Sequence, residues 1–196
     1  MSIAIIDYNA GNVRSVLFAM ERLGQTALLS NDPDEIRRAD KVIFPGVGEA
    51  SSTMEYLRSH QLDQLICSLQ QPVLGICLGM QLLCTHSEEG NTPCLGIIPQ
   101  QVRRFSTSDP TLKIPHMGWN AIRRVKGALF SEELEDAYAY FVHSYFVEKG
   151  PYTTALCNYI QPFSAALQKD NFYATQFHPE KSGGVGEKIL QNFLLL

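Results

Sequence analysis

The first half of the chain alternates short apolar runs with segments of helical period, and this alternation constrains the fold more than any other feature. IAIID (3–7), TALLS (26–30), KVIFPGVG (41–48) and PVLGICL (72–78) read as strands. Between them, VRSVLFAMERLG (13–24) places Val13, Val16, Leu17, Met20 and Leu23 on one helical stripe that ends at Gly24. NDPDEIRRAD (31–40) reads as a short helix with Asp32 as N-cap and Pro33 at the first helical position, and STMEYLRSHQLDQLICSL (52–69) as a longer one. Strands separated by helices in this way predict a parallel sheet covered on both faces.

The second half changes character. YAYFVHSYFV (138–147), YTTALCNY (152–159), FSAALQ (163–168) and FYATQF (172–177) are strand-like runs joined by turn residues, so part of the sheet is expected to be antiparallel. A final helix, GEKILQNFLLL (186–196), packs its apolar residues back. With no internal repeat, linker or low-complexity segment, the expectation is α/β: one mixed domain over 1–196 with a largely parallel central sheet flanked by helices. Ligands in such sheets sit beyond the carboxyl ends of the strands.

Composition excludes several classes of function. A net charge of -4 and the lack of a basic run give no footprint for nucleic acid. The five cysteines (Cys67, Cys77, Cys84, Cys94, Cys157) are odd in number and contain no CxxC pair, so neither a disulfide framework nor a metal site is indicated. MSIAIIDY runs straight into an apolar segment without a basic region, and no apolar stretch approaches about 18 residues. A cytoplasmic protein with no membrane partner is expected.

Chemistry concentrates in three places. Gly75-Ile76-Cys77-Leu78-Gly79 has the form G-x-C-x-G, the thiol version of a nucleophile elbow. There the start of the following helix favours a thiolate, and the Leu78 N–H points toward a developing oxyanion. A structural cysteine packed between two glycines accounts for the pentapeptide equally well when it is taken alone. In QFHPEKS (176–182), His178 and Glu180 flank Pro179, so a base and the carboxylate that orients it are rigidly tethered at a strand end. The other four histidines (60, 86, 116, 143) have no such tether. In FPGVGEA (44–50), Gly46 and Gly48 on either side of Val47 allow its peptide N–H to turn inward as a second oxyanion donor. A plain strand-to-helix turn is the alternative; a dinucleotide fingerprint is not completed, because Ser51 holds the third glycine position. SGGVGEK (182–188) reads as a flexible connection.

PGVG, GICLGMQ and FHPEKS, in this order and separation, resemble the class I (triad) glutamine amidotransferases, which release ammonia from glutamine through a glutamyl thioester. The resemblance implies their flavodoxin-like fold, with Cys77 as nucleophile, His178 as acid and base, and Glu180 as its orienter. It also implies an oxyanion site from Val47 and Leu78, a glutamine site from Gly46, Gly48, Gln81, His143, Ser144 and Tyr145, and no cofactor. Gln81, one helical turn after Cys77, falls on the same face. DYNAGNVRSV (7–16), PHMGWN (115–120) and YFVHSY (140–145) are similar to the branch that serves imidazole glycerol phosphate synthases in histidine biosynthesis. That likeness implies a heterodimer with a separate cyclase subunit, a (β/α)8 barrel that makes imidazole glycerol phosphate and AICAR. The implied interface is Asn12, Met117, Trp119, Asn120 and Tyr140, with Trp119 in an exposed loop. A glutaminase of an anthranilate or aminodeoxychorismate synthase, a non-catalytic module of the same fold, and a cysteine protease remain the alternatives.

Overall fold

The computed structural model describes residues 1–8 and 13–196. The expected interface residue Asn12 lies outside the described residues. Strands β1 (Ile3–Ile6), β2 (Ala27–Ser30), β3 (Lys41–Phe44) and β4 (Val73–Ile76) alternate with helices α1 (Val13–Arg22), α2 (Pro33–Arg38), α3 (Ala50–Ser59) and α4 (Leu62–Ser68), and α5 (Leu78–Leu82) follows β4 directly. After them come β5 (His86–Ser87), β6 (Thr92–Pro93), β7 (Gln101–Arg104), β8 (His116–Ala121), β9 (Tyr138–His143), β10 (Tyr145–Val147), β11 (Thr153–Tyr159), β12 (Gln161–Lys169), β13 (Phe172–Thr175) and α6 (Gly183–Leu194).

The main sheet runs β2-β1-β3-β4-β13-β12-β10-β7-β5-β6, with β11 paired to β12. Its first five strands are parallel, in the 2-1-3-4-5 order of the flavodoxin-like folds, with β13 as the fifth. The sheet turns antiparallel at β13/β12, β12/β10 and β10/β7, as the change of pattern after residue 138 predicted. Alternate side chains of the parallel strands enter two separate cores, which is why their sequences read as unbroken apolar runs. Ile3, Ile5, Ile43, Leu74 and Ile76 pack with α1 and α6 on one face. Ala4, Ile6, Val42, Phe44 and Val73 pack with α2 to α5 on the other.

Local chemistry explains the helix boundaries. Asp32 caps α2 by accepting from the N–H groups of Asp34 (2.7 Å) and Glu35 (3.2 Å), with Pro33 first in the helix. Residues 52–69 form two helices rather than one, because Gln61 adopts φ 59° between α3 and α4. The continuous run 138–147 also divides. The His143 imidazole bonds to the Tyr145 carbonyl (2.7 Å) around Ser144, so β9 leaves for a two-stranded ribbon with β8 while β10 stays in the main sheet.

PHMGWN is a strand, β8, and not a loop. Its alternation was hidden because the polarity is inverted: Met117 and Trp119 face solvent (63% and 55% exposed), while His116 is buried. SGGVGEK is likewise no flexible connection but the start of α6. A Cβ on Gly186 would lie 1.8 Å from the Pro179 carbonyl oxygen, so only glycine lets this helix seat against the His-Pro-Glu turn. Among the described residues no helix is long and apolar enough to cross a membrane.

Candidate active site

Strands β3, β4 and β13 are neighbours, and their carboxyl ends deliver Pro45–Gly48, Cys77 and Gln176–His178 to one edge of the sheet. Cys77 has φ 52° and ψ -105°, a conformation that costs an L-residue on the order of 1–3 kcal/mol. The surroundings impose it. The Cys77 N–H continues the ladder to Thr175 O (2.7 Å), while its carbonyl already accepts from Gln81 N (3.2 Å) inside α5. Gly75 and Gly79 make this sharp reversal possible, since a Cβ at Gly75 would lie 3.1 Å from the backbone of Gly79, and one at Gly79 would lie 2.1 Å from Phe44 O. With five residues, α5 offers the unpaired N–H groups of its first turn, that of Leu78 included, rather than a long macrodipole.

The turn after β13 brings His178 and Glu180 together. Nδ1 of His178 bonds to Glu180 Oε1 at 2.8 Å, and both side chains are 1% exposed. A carboxylate there accepts from Nδ1–H, which leaves Nε2 for chemistry. Nε2 is buried without a hydrogen-bond partner. Burial opposes the charged imidazole, but its interactions with Cys77 and Glu180 outweigh it and push the His178 pKa up to about 10. The ring therefore holds a proton at neutral pH. The turn itself is braced by His178 N–H to Tyr140 O (2.9 Å) and by Ser182 Oγ–H to His178 O (2.6 Å).

The sulfur opens onto a cavity of about 320 Å³, within the range of small-molecule sites. Val47, Gly48, Leu78, Gln81, His143, Ser144 and Tyr145 line it together with Cys77 and His178. Gly46 does not. It borders a void of about 10 Å³ with Val47, His178 and Glu180, and it packs so tightly on α5 that a Cβ there would lie 2.3 Å from Gly79 N. Sequence reasoning missed Glu89, the acidic side chain of the lining, because nothing around it in SEEGN (87–91) marks a site. Burial raises its pKa, and its Oε2 accepts from Ala50 N (2.8 Å). Gln176, directly behind the sulfur, was also missed.

Two expected glutamine ligands are already engaged. Both Gln81 amide protons are committed, to Tyr145 O (2.9 Å) and Gln176 Oε1 (3.0 Å). Both ring nitrogens of His143 are taken, Nδ1 by Tyr145 O (2.7 Å) and Nε2 by His116 Nδ1 (3.0 Å). Burial pushes the pKa of His116 down to about 4 and that of His143 to about 3, so this pair stays neutral. Unfolded imidazoles take up protons near pH 6.5, whereas the folded pair does not until pH nears 4. Its stability contribution is therefore complete above pH 6.5 and is lost toward pH 4, at up to about 1.4 kcal/mol per pH unit for each ring. His178, whose pKa is raised, loses its contribution only as pH rises toward 10 and offsets nothing on the acid side. Urea unfolding between pH 4.5 and 7 should show this slope, and His116→Leu, though less stable throughout, should show a shallower one. An unchanged slope would contradict the assignment.

On the ribbon, Trp119 lies opposite Tyr140, with ring centroids 6.1 Å apart. Met117, Trp119 and the unanticipated Tyr138 (59% exposed) form an apolar outer face, whereas the expected interface residue Asn120, half-buried, points to the inner face, where its amide bonds His116 Nε2 (3.2 Å). Among the described residues no cluster of three metal-ligating side chains occurs.

A family profile described as glutamine amidotransferase class-I matches residues 4–196. The chain belongs to the class-I glutamine amidotransferases. Among the relatives of this amidotransferase is the imidazole glycerol phosphate synthase subunit HisH of Bacteroides fragilis (strain YCH46), 57% identical over 196 residues, with all of both chains covered. The protein of the same name from Escherichia coli (strain K12) is 49% identical over 99% of each chain. A glutamine amidotransferase crystal structure superposes with a TM-score of 0.76 at 17% identity, covering 98% of this chain and 97% of the other. The structure of PurLQS from Thermotoga maritima gives 0.71 at 15% identity over 99% and 97%. These two structures share the fold.

Proposed function

We propose that this amidotransferase, acting as one domain over residues 1–196, is the glutaminase subunit of an imidazole glycerol phosphate synthase in the cytoplasm. In this reading it hydrolyses glutamine and hands the ammonia to a separate (β/α)8 cyclase. The observation that carries the chemistry is a strained Cys77 beside the buried His178–Glu180 pair, at the floor of a cavity that also holds one carboxylate, Glu89. Full-length similarity to HisH chains supports the choice of acceptor.

The Cys77 thiolate attacks the side-chain carbonyl carbon of glutamine, and the N–H groups of Leu78 and Val47 receive the oxyanion. As the C–N bond breaks, the His178 imidazolium gives its proton to the departing ammonia. His178 then takes a proton from water, which attacks the thioester; the C–S bond breaks, and glutamate leaves with the thiolate restored. Gly48, Ser144 and the Tyr145 segment hold the substrate in this reading, and Glu89 faces its α-ammonium group. Ammonia protonated in bulk water cannot attack, so the product has to pass directly to the acceptor. The ribbon face of Met117, Trp119 and Tyr140 is the proposed docking surface, with Asn120 turned to the opposite face onto His116, and the Tyr140 carbonyl already holds the His178 N–H (2.9 Å).

Glutamate release should be measured for the chain alone, with the cyclase, and with the cyclase and its phosphoribulosyl nucleotide. In this reading the Val47 peptide turns its N–H inward only in the complex, so the lone chain should be slower by about 100- to 1,000-fold, the cost of one missing oxyanion donor. No glutamate under any condition would overturn the reading. A lone chain as fast as the liganded complex would show that the partner does not control this turn.

His178→Ala should reduce thioester formation in a single turnover by on the order of 10⁵-fold or more. Glu180→Gln should cost about 10- to 100-fold less, because an amide still holds the ring while the ring alone carries the proton. Equal losses would contradict the roles given to the two residues.

A further inference from the structure

A hydrogen-bonded chain runs from the ribbon to the sulfur, and one backbone carbonyl sets its direction. Tyr145 O can only accept. It therefore takes N–H from Gln81 Nε2 (2.9 Å) and from His143 Nδ1 (2.7 Å). Because the near end of the Gln81 amide is its nitrogen, the group of Gln176 that meets it at 3.0 Å is the oxygen. The other end of the Gln176 amide, Nε2, then faces Cys77 Sγ at 3.6 Å as a donor. On the other branch, His143 Nε2 is left as an acceptor, so His116 donates from Nδ1 (3.0 Å) and receives at Nε2 from Asn120 Nδ2 (3.2 Å). Asn158 O, taking the same Asn120 amide at 3.2 Å, agrees with this polarity from the far end. Gln176 is fully buried, and its main-chain N–H is fixed to Ala165 O (2.8 Å), so its amide has no alternative partner in solvent.

We propose that Gln176 is a further catalytic residue, donating a hydrogen bond to the Cys77 sulfur, with Gln81 as the positioning residue that locks its amide. This deepens the reading of Cys77 as nucleophile and rests on it. A donor to sulfur favours the thiolate over the thiol. Sulfur carries a full charge before attack and again when the thioester breaks, so the bond raises the reactive fraction and assists the departure of sulfur. His178 cannot perform this task throughout the cycle, because its proton leaves with ammonia. The Gln81 side chain, which also lines the cavity, reaches the nucleophile from behind through Gln176.

The test is alkylation of Cys77 by iodoacetamide as a function of pH, read by mass spectrometry, which needs neither substrate nor partner. Gln176→Met keeps the length and removes the donor. Gln176→Glu keeps an acceptor for Gln81 and sets a negative charge against the sulfur. His178 and Tyr8, the titratable groups coupled to the sulfur, are unchanged in both variants. Gln176→Met should alkylate on the order of 10-fold more slowly at pH 7, and Gln176→Glu more slowly still, with the gap closing as pH rises until the thiol is ionised in every protein. Should Gln176→Met fail to fold, Gln176→Glu gives the same comparison. In the unsubstituted protein, the Gln176 side-chain amide resonances should follow the pH profile of the alkylation rate. Equal rates at pH 7, a gap that persists unchanged at high pH, or amide resonances blind to the profile would each overturn the proposal. Alkylation reads the donor even if no glutamate is released, so failure here is distinct from failure of the glutaminase reading.

Discussion

Replacing Cys77 with alanine is expected to reduce glutamate release from glutamine by on the order of 10⁶-fold, the loss typical of a triad nucleophile. The fold should survive, because the variant relieves nothing that holds the elbow. The strained turn is set by the backbone bonds of Cys77 to Thr175 O and Gln81 N and by the glycines at 75 and 79. The other four cysteines should be dispensable. Burial raises the thiol of Cys157 to about 12 and that of Cys94 to about 11, and it drives Cys84 and Cys67 upward as well, so none of them holds a thiolate at neutral pH. Combining the four substitutions at once, and measuring glutamate release with the cyclase present, checks both halves. A Cys77→Ala protein that still turns over, or a quadruple variant as dead as Cys77→Ala, would remove Cys77 from its place.

The parts of the molecule legible in the sequence are those in which a local rule and the tertiary structure agree. Buried parallel strands carry side chains into two cores, so β1 to β4 read as apolar runs, and the α2 cap is written in Asp32-Pro33. Glycines at 75 and 79 and the tethered His178-Pro179-Glu180 mark the cluster around Cys77 because strain and rigidity demand particular residues. What could not be read depends on partners distant in the chain. The strand β8 was disguised by an outer face of Met117 and Trp119 and an inner face holding His116, the reverse of ordinary patterning. The break after β9 follows from the turn of His143 onto Tyr145, which no propensity encodes. Glu89, Gln176 and the His116–His143 pair acquire meaning only when β5–β7, β8–β9 and the carboxyl end of β13 come together. Gln81 shows the same limit: its spacing from Cys77 placed it on the correct face but could not reveal that both of its amide protons are bound.

Gly79→Ala is the second substitution expected to be severe, and its effect comes from backbone rather than side chains. An added Cβ would lie 2.1 Å from Phe44 O and 3.4 Å from Pro45 O, while Gly46, on the opposite wall, already sits where a Cβ would be 2.3 Å from Gly79 N. Neither wall can rotate out of the way, so α5 and the end of β3 have to separate. Overpacking of this kind costs about 1–3 kcal/mol, and here it has no flexible side chain to absorb it. The separation also moves Val47 and Gly48 away from Leu78 and Cys77, which they face across the cavity. A displacement near 1 Å at reacting groups costs about 100-fold in rate, so activity should fall further than stability alone explains. Gly184→Ala is the control, since that position in α6 has no atom within 4 Å of its Cβ, and it should leave rate and stability nearly unchanged. Urea unfolding of each variant, paired with glutamate release at saturating glutamine, separates the two effects. A Gly79→Ala protein with the stability and rate of the parent would show that the close seating of β3 on the cysteine turn is not what aligns the N–H groups proposed as oxyanion donors. Loss of rate with stability retained would place the whole effect in that alignment.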